Sequence, residues 1–312
     1  MPVKIDPAKK ELYEQLVNVL NTLFGAHPGF RAAHAKGIVC EGSFTPSAAA
    51  SSISRAAHLQ SATVPVTFRF SNSTGIPNIP DGDPNATPKG LAIRFHAPGG
   101  DTDIVAHSAN DFPVSTAEDF LVFLRAVASS PPDAPHPTPV EKFVGSHPNT
   151  LKFVQLPKPT PASFARSSFF GVNAFRFVNR ENKAQFGRYF IRPVAGEEHL
   201  DAAAAAAKTP NFLFEELPQR LAKGAVQFRL NLQLPNPGDP THDASITWPD
   251  DRAQVELGVL RVTSVVADSD AAQKKLIFDP TRLINGIELG DDPLPCDRAG
   301  VYSVSFSRRN PA

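Results

Sequence analysis

Alternation of apolar and polar residues with a period of two recurs along this chain. It runs through "VPVTFRFSNS" (64–73), "KGLAIRFHAPGGDTDIVAHS" (89–108), "NAFRFVNRENKAQFGRYFIRPV" (173–194), "AVQFRLNLQLP" (225–235) and "AQVELGVLRVTSVV" (253–266). That period belongs to strands with one face turned to a core. "PGG" and Asn182 supply the turns of two hairpins. Between these strands lie segments of helical period. In residues 7–25, Leu12, Leu16, Val19, Leu20 and Leu23 share a face, and Gly25 and Pro28 end the pattern. "TAEDFLVFLRAVASS" starts on Thr116 as N-cap with acids in its first turn. "LFEELPQRLAKG" closes at Gly224. The prolines of 131–161 are read as a long surface excursion, and the last segment, around Tyr302, as a strand. The order of elements predicts an α+β fold with a closed or strongly curved antiparallel sheet.

Composition narrows the function. The 312 residues are 41% hydrophobic and 20% charged, as in a globular enzyme with room for a cofactor-sized pocket. The formal net charge is zero, which gives a nucleic-acid partner no electrostatic support. No apolar run is long enough to span a bilayer, and the N-terminal residues show no export signal, so a cytoplasmic protein is expected. Cys40 and Cys296 form no metal-binding spacing and no disulfide framework. The chain has no Gly-rich phosphate loop, no Gly-x-Ser-x-Gly elbow and no His-x-x-x-His pair.

Two clusters carry chemistry. Tyr302 is one of three tyrosines, with Arg298 four residues before it and Arg308 and Arg309 after it. Neighbouring cations favour an ionised phenol, and a tyrosinate is a hard anionic metal ligand. His34, in "FRAAHAKG", lies between Arg31 and Lys36. An imidazole kept neutral by cations accepts protons. His107, in "DIVAHSANDFP", is a second candidate. Surface solvation is the plain alternative for all these arginines.

Taken in order, several segments resemble the haem catalases, in their short catalase-related peroxidase branch. They are "FRAAHAKG", "FRFS" (68–71), "KGLAIRF", "TWPDDRAQVELGVLRV" and "RAGVY". The resemblance covers about Phe30 to Arg309 and implies a closed antiparallel β-barrel with surrounding helices. Haem b would be buried beside the barrel in a single domain, with an N-terminal helix over 1–29 and a haem-binding core over 30–312. By this resemblance Tyr302 is the proximal iron ligand, as tyrosine is in the catalases, and Arg298 holds its oxygen. Arg31, Arg69 and Arg309 meet the haem propionates. His34 is the distal acid–base, Ser71 fixes its tautomer, and Phe120 lies over the haem. Arg308 is left for solvent.

The distal asparagine of the catalases has no clear counterpart. An ungapped alignment from "DIV" puts Ser108 there; one inserted residue puts Asn110 there, and Asn110 is favoured because its amide both donates and accepts. The chain also lacks the arms that build the catalase tetramer and its narrow channel, which implies wider access to the haem and a dimer or a monomer. The implied activity is reduction of organic hydroperoxides and, more weakly, hydrogen peroxide through a ferryl compound I, with electrons from a small donor. The alternatives are a true catalase that dismutates hydrogen peroxide and a haem-binding protein without turnover.

Overall fold

The strand over Val64–Ser71 shows how the fold is organised. Val64, Val66, Phe68 and Phe70 are buried on one face, while Pro65 on the other is exposed. Arg69 and Ser71, which share the face of Pro65, are buried too. The outer face is therefore covered where this strand ends, and the functional cavity lies under that cover.

The computed structural model describes residues 6–310. Its strands are β1 (Gly37–Pro46), β2 (Val64–Ser71), β3 (Gly90–Ala97), β4 (Gly100–His107), β5 (Thr160–Pro161), β6 (Phe169–Phe170), β7 (Phe175–Val178), β8 (Ala184–Pro193), β9 (His199–Leu200), β10 (Val226–Gln233), β11 (Gln254–Val265) and β12 (Ile287–Leu289). The helices are α1 (Lys10–Phe24), α2 (Ala50–Ile53), α3 (Ala117–Ala128), α4 (Pro139–Ser146), α5 (Pro148–Gln155), α6 (Ala202–Ala206), α7 (Phe212–Lys223), α8 (Ser269–Lys275) and α9 (Leu294–Arg309). Strands pair in the order β10-β11-β1-β2-β3-β4-β6-β8, and β8 pairs again with β10. This closes an antiparallel barrel and leaves no edge in the ring. β7 and β12 extend from β8, and β5 pairs with β9 apart from the barrel.

The barrel is filled by aromatic side chains. Phe44, Phe68, Phe70, Phe95, Phe169 and Phe228 are fully buried in one core cluster. Phe44 and Phe95 meet edge to face, with ring centroids 5.2 Å apart. A barrel packed in this way has no interior room for a ligand, so a site must lie outside it.

Helices cover the outer face. α1 buries Leu16, Val19 and Leu20 against Leu121 and Leu124 of α3. Its Tyr13 crosses α9 at Gly300, where an added Cβ would run into the Tyr13 ring. The Tyr13 hydroxyl donates to Asp297 Oδ1 at 2.9 Å, and Lys9 reaches the same carboxylate at 3.0 Å. No helix among the described residues is long and apolar enough to cross a membrane.

The structure corrects two local readings. The proline-rich stretch contains α4 and α5. Pro139 and Pro148 stand in the first helical turns, where the missing N–H costs nothing, and Thr138 and Glu141 form a complete capping box. The segment around Tyr302 is α9 and not a strand. "VYSVSFS" alternates with period two, but Arg298, Tyr302, Ser305 and Arg309 recur at helical spacing and line one cavity.

Candidate active site

The cavity lies between the outer face of β2–β4 and the inner stripe of α9, with the loop over 31–34 at its side. It opens to solvent at one side and is lined by residues of all three of these segments.

Strand register builds the sheet wall. Ser71 pairs with Gly90, and Gly90 pairs with His107. Residues directly opposite one another in a sheet share a face. Ser71, Gly90 and His107 thus form one row, and Arg69, Ala92 and Val105 form the row two residues away; all six line the cavity. Gly90 lets the His34 ring lie on the sheet. A Cβ there would stand 2.5 Å from Ser71 Oγ and 2.7 Å from His34 Nδ1.

His34 is held in an uncommon backbone state. Its φ is +55°, in the left-handed region that non-glycine residues visit at a cost of about 1–2 kcal/mol. Its N–H donates to Ser73 O at 2.9 Å. On the side chain, Nδ1 is 3.0 Å from Ser71 Oγ. Burial first, and then Arg69, Arg298 and Arg31, push the imidazole down to about 3. His34 is therefore neutral across ordinary pH and stays accessible from the cavity.

On the helix wall, Arg298 Nε donates to the Tyr302 oxygen at 3.0 Å. Only a helix permits this contact. Side chains four apart meet on a helix surface, whereas four strand residues would separate them by about 13 Å. Arg298 Nη1 also donates to Asn173 Oδ1 at 2.6 Å, and Asn173 Nδ2 donates to Asp292 Oδ2 at 2.8 Å. Asn173 and Asp292 lie far from Tyr302 in sequence, and no local pattern marked them.

Arg31, Arg69 and Arg309 gather at the same cavity. None has a carboxylate partner among the described residues. Arg31 donates to the Gln273 and Leu276 carbonyls, Arg69 to Gln273 Oε1 and the His34 carbonyl, and Arg309 to the Leu276 carbonyl. The buried Nε of Arg309 has no partner. Burial and mutual repulsion lower the Arg31 pKa; burial, then Arg309, brings Arg69 down to about 9; burial brings Arg309 down to about 10. Three crowded cations without counter-charge fit an anionic group with two carboxylates, and the phenol oxygen of Tyr302 on the same cavity fits a hard metal ion. The residues present thus suit a haem.

Two expected residues are elsewhere. Asn110 does not line this cavity. It stands three residues beyond the end of β4, its carbonyl accepts from Thr247 Oγ1 at 2.9 Å, and it borders a separate surface depression with Phe170, Phe190 and Arg192. The pairing of β4 runs without a bulge to His107, and Asn110 lies beyond its end. Ser108 Oγ is occupied by the Lys89 N–H. Phe120 does not line the cavity either. It packs in the α3 layer against Phe112, at 5.6 Å, and Phe112 in turn lies 6.3 Å from the His107 ring.

A family model described as Catalase matches residues 28–310. The chain is 36% identical over 300 residues to a catalase-related peroxidase of Mycolicibacterium paratuberculosis, across 95% of this chain and 94% of that one. It is 32% identical over 301 residues to a catalase-related peroxidase of Synechococcus elongatus, across 95% of this chain and 88% of that one. Its fold is similar to that of a fungal catalase (TM-score 0.80, 18% identity) and of a bacterial catalase (TM-score 0.76, 20% identity). The chain spans only 60% and 62% of the length of those two catalases.

Proposed function

The chain belongs to the catalase family and is a peroxide-acting oxidoreductase; from this we propose that it is a haem peroxidase that reduces organic hydroperoxides and, more weakly, hydrogen peroxide with electrons from a small donor. One observation carries the reading. A neutral His34 held by Ser71 and a Tyr302 held by Arg298 share a single cavity with three arginines that have no carboxylate partner among the described residues.

Each residue has a physical task. Arg31, Arg69 and Arg309 would bind the propionates by charge-assisted hydrogen bonds, which would relieve their mutual repulsion. Tyr302 would hold the iron through its phenolate oxygen. The N–H of Arg298 would keep that oxygen anionic and limit the charge it gives away, while Asn173 and Asp292 would fix the guanidinium. Haem, when bound, supplies the electrons that cleave the peroxide O–O bond and recovers them from the donor. His34 moves the proton. Ser71 occupies Nδ1, so Nε2 would take the proton from the peroxide and return it to the departing oxygen, which leaves as water or an alcohol. The low pKa of His34 keeps the ring unprotonated before the peroxide arrives.

Peroxidase is favoured over dismutation because both relatives named above, matched over nearly their full length, are described as catalase-related peroxidases. The test is oxygen released per hydrogen peroxide consumed by haem-loaded protein with a donor present. A ratio near zero with rapid donor oxidation is expected. A ratio near one half would replace this reading with catalase turnover.

A further inference from the structure

His107 remains unexplained by these roles. It ends β4 in the same cross-strand row as Gly90 and Ser71, so its side chain emerges on the cavity face, across Gly90 from the Ser71–His34 pair. It is 9% exposed, and no side chain among the described residues hydrogen-bonds its ring. Phe112 backs the ring from the outer side. Burial first, and then Arg298 and His34, push its pKa down to about 3. A neutral imidazole keeps one N–H and one lone pair, and so both donates and accepts, as the amide of Asn110 would.

Resting on the peroxidase reading above, we propose that His107 is a second imidazole that touches the peroxide, hydrogen-bonding it beside His34 in the place that sequence alignment gives to Asn110. His34 moves the proton while His107 orients the oxygen and supports its developing negative charge. The two rings are kept distinct by their partners: Ser71 occupies one nitrogen of His34, whereas no side chain among the described residues hydrogen-bonds His107.

The test compares His107→Phe and His107→Asn with wild type, all loaded with haem, using fluoride as a probe anion and hydrogen peroxide as reactant. Loss of one hydrogen bond to a bound anion predicts fluoride affinity about tenfold weaker in His107→Phe, with haem content and Tm unchanged. The second-order peroxide rate should fall by a similar factor. His107→Asn, which restores a donor, should stay within about threefold of wild type in both. Unchanged fluoride affinity in His107→Phe, with the wild type active, would overturn the assignment to His107 alone. A wild type that takes up haem but binds neither fluoride nor peroxide would overturn the peroxidase reading as well.

Discussion

Gly90→Ala is the sharpest test of the sheet wall, because it changes one atom and touches neither the helix wall nor the arginines. The added Cβ would lie 2.7 Å from His34 Nδ1, 2.9 Å from His34 Cε1 and 2.5 Å from Ser71 Oγ. Ordinary contact begins near 3.4 Å, so the imidazole must retreat by about 0.7 Å and its bond to Ser71 must lengthen or break. Losing that bond costs about 1 kcal/mol. The kinetic cost is larger: displacing a catalytic group by about 1 Å can lower a rate 10²-fold. Stopped-flow mixing with hydrogen peroxide should show a rate constant lower by about 10- to 100-fold. Haem content and the ferric spectrum should not change, since Tyr302 and Arg298 stand on α9. The backbone of Gly90 is outside the left-handed region, so alanine adds no conformational strain of its own. An unchanged rate constant in a variant of wild-type Tm would refute the placement of His34 over Gly90.

Tyr302→Phe should lose most of its haem or the charge-transfer bands of the ferric protein; wild-type content and spectrum would refute the ligand assignment. Arg309→Leu removes one of three cations that lack a carboxylate, so haem affinity should fall by about tenfold or more while the Tm of haem-free protein holds or rises. A lower Tm with unchanged haem affinity would make Arg309 structural. Acid should destabilise the fold through its buried histidines. His34, His58 and His107 are all pushed down to about 3 by burial, from 6.5. Their contribution is whole above about pH 6.5 and drains as pH falls toward 3, by about 1.4 kcal/mol per pH unit for each. His58 lies in the barrel against Phe95, at 4.7 Å, away from the cavity. In His58→Leu, denaturant unfolding at pH 7 and pH 5 should therefore show a shallower loss than in wild type; an equal loss would refute the account.

Much of the barrel was legible because alternation writes a half-buried strand directly into sequence, as in β2, β3, β8 and β10; β1, "GIVCEGSFTP", buries three consecutive residues and does not alternate. The failures share one cause: a local pattern compatible with two structures. "VYSVSFS" alternates, so it reads as a strand; the spacing that matters is the wider one of Arg298, Tyr302, Ser305 and Arg309, which only α9 makes contiguous. Pro139 and Pro148 read as breakers, although a proline preceded by a capping threonine, as at Thr138, starts a helix. Asn173, Asp292 and Gln273 reach the arginines across the fold and leave no local trace.

The distal residue shows why chemistry alone misled. Asn110 was favoured because an amide both donates and accepts, but this argument ranks side chains without fixing which one enters the cavity. Register fixes it. With Ser71 opposite Gly90 and Gly90 opposite His107, the only residue of "AHSAN" that β4 carries into that row is His107. The β3–β4 pairing runs without a shift from Ala97–Gly100 to Gly90–His107. A single slip would turn Ala106 to the cavity and send the histidine into a core of phenylalanines, at the cost of burying its polar ring among apolar side chains. The hydrophobic side of the same strands, Leu91, Ile93, Phe95, Ile104 and Ala106, therefore specifies the distal site as firmly as the residues that face it.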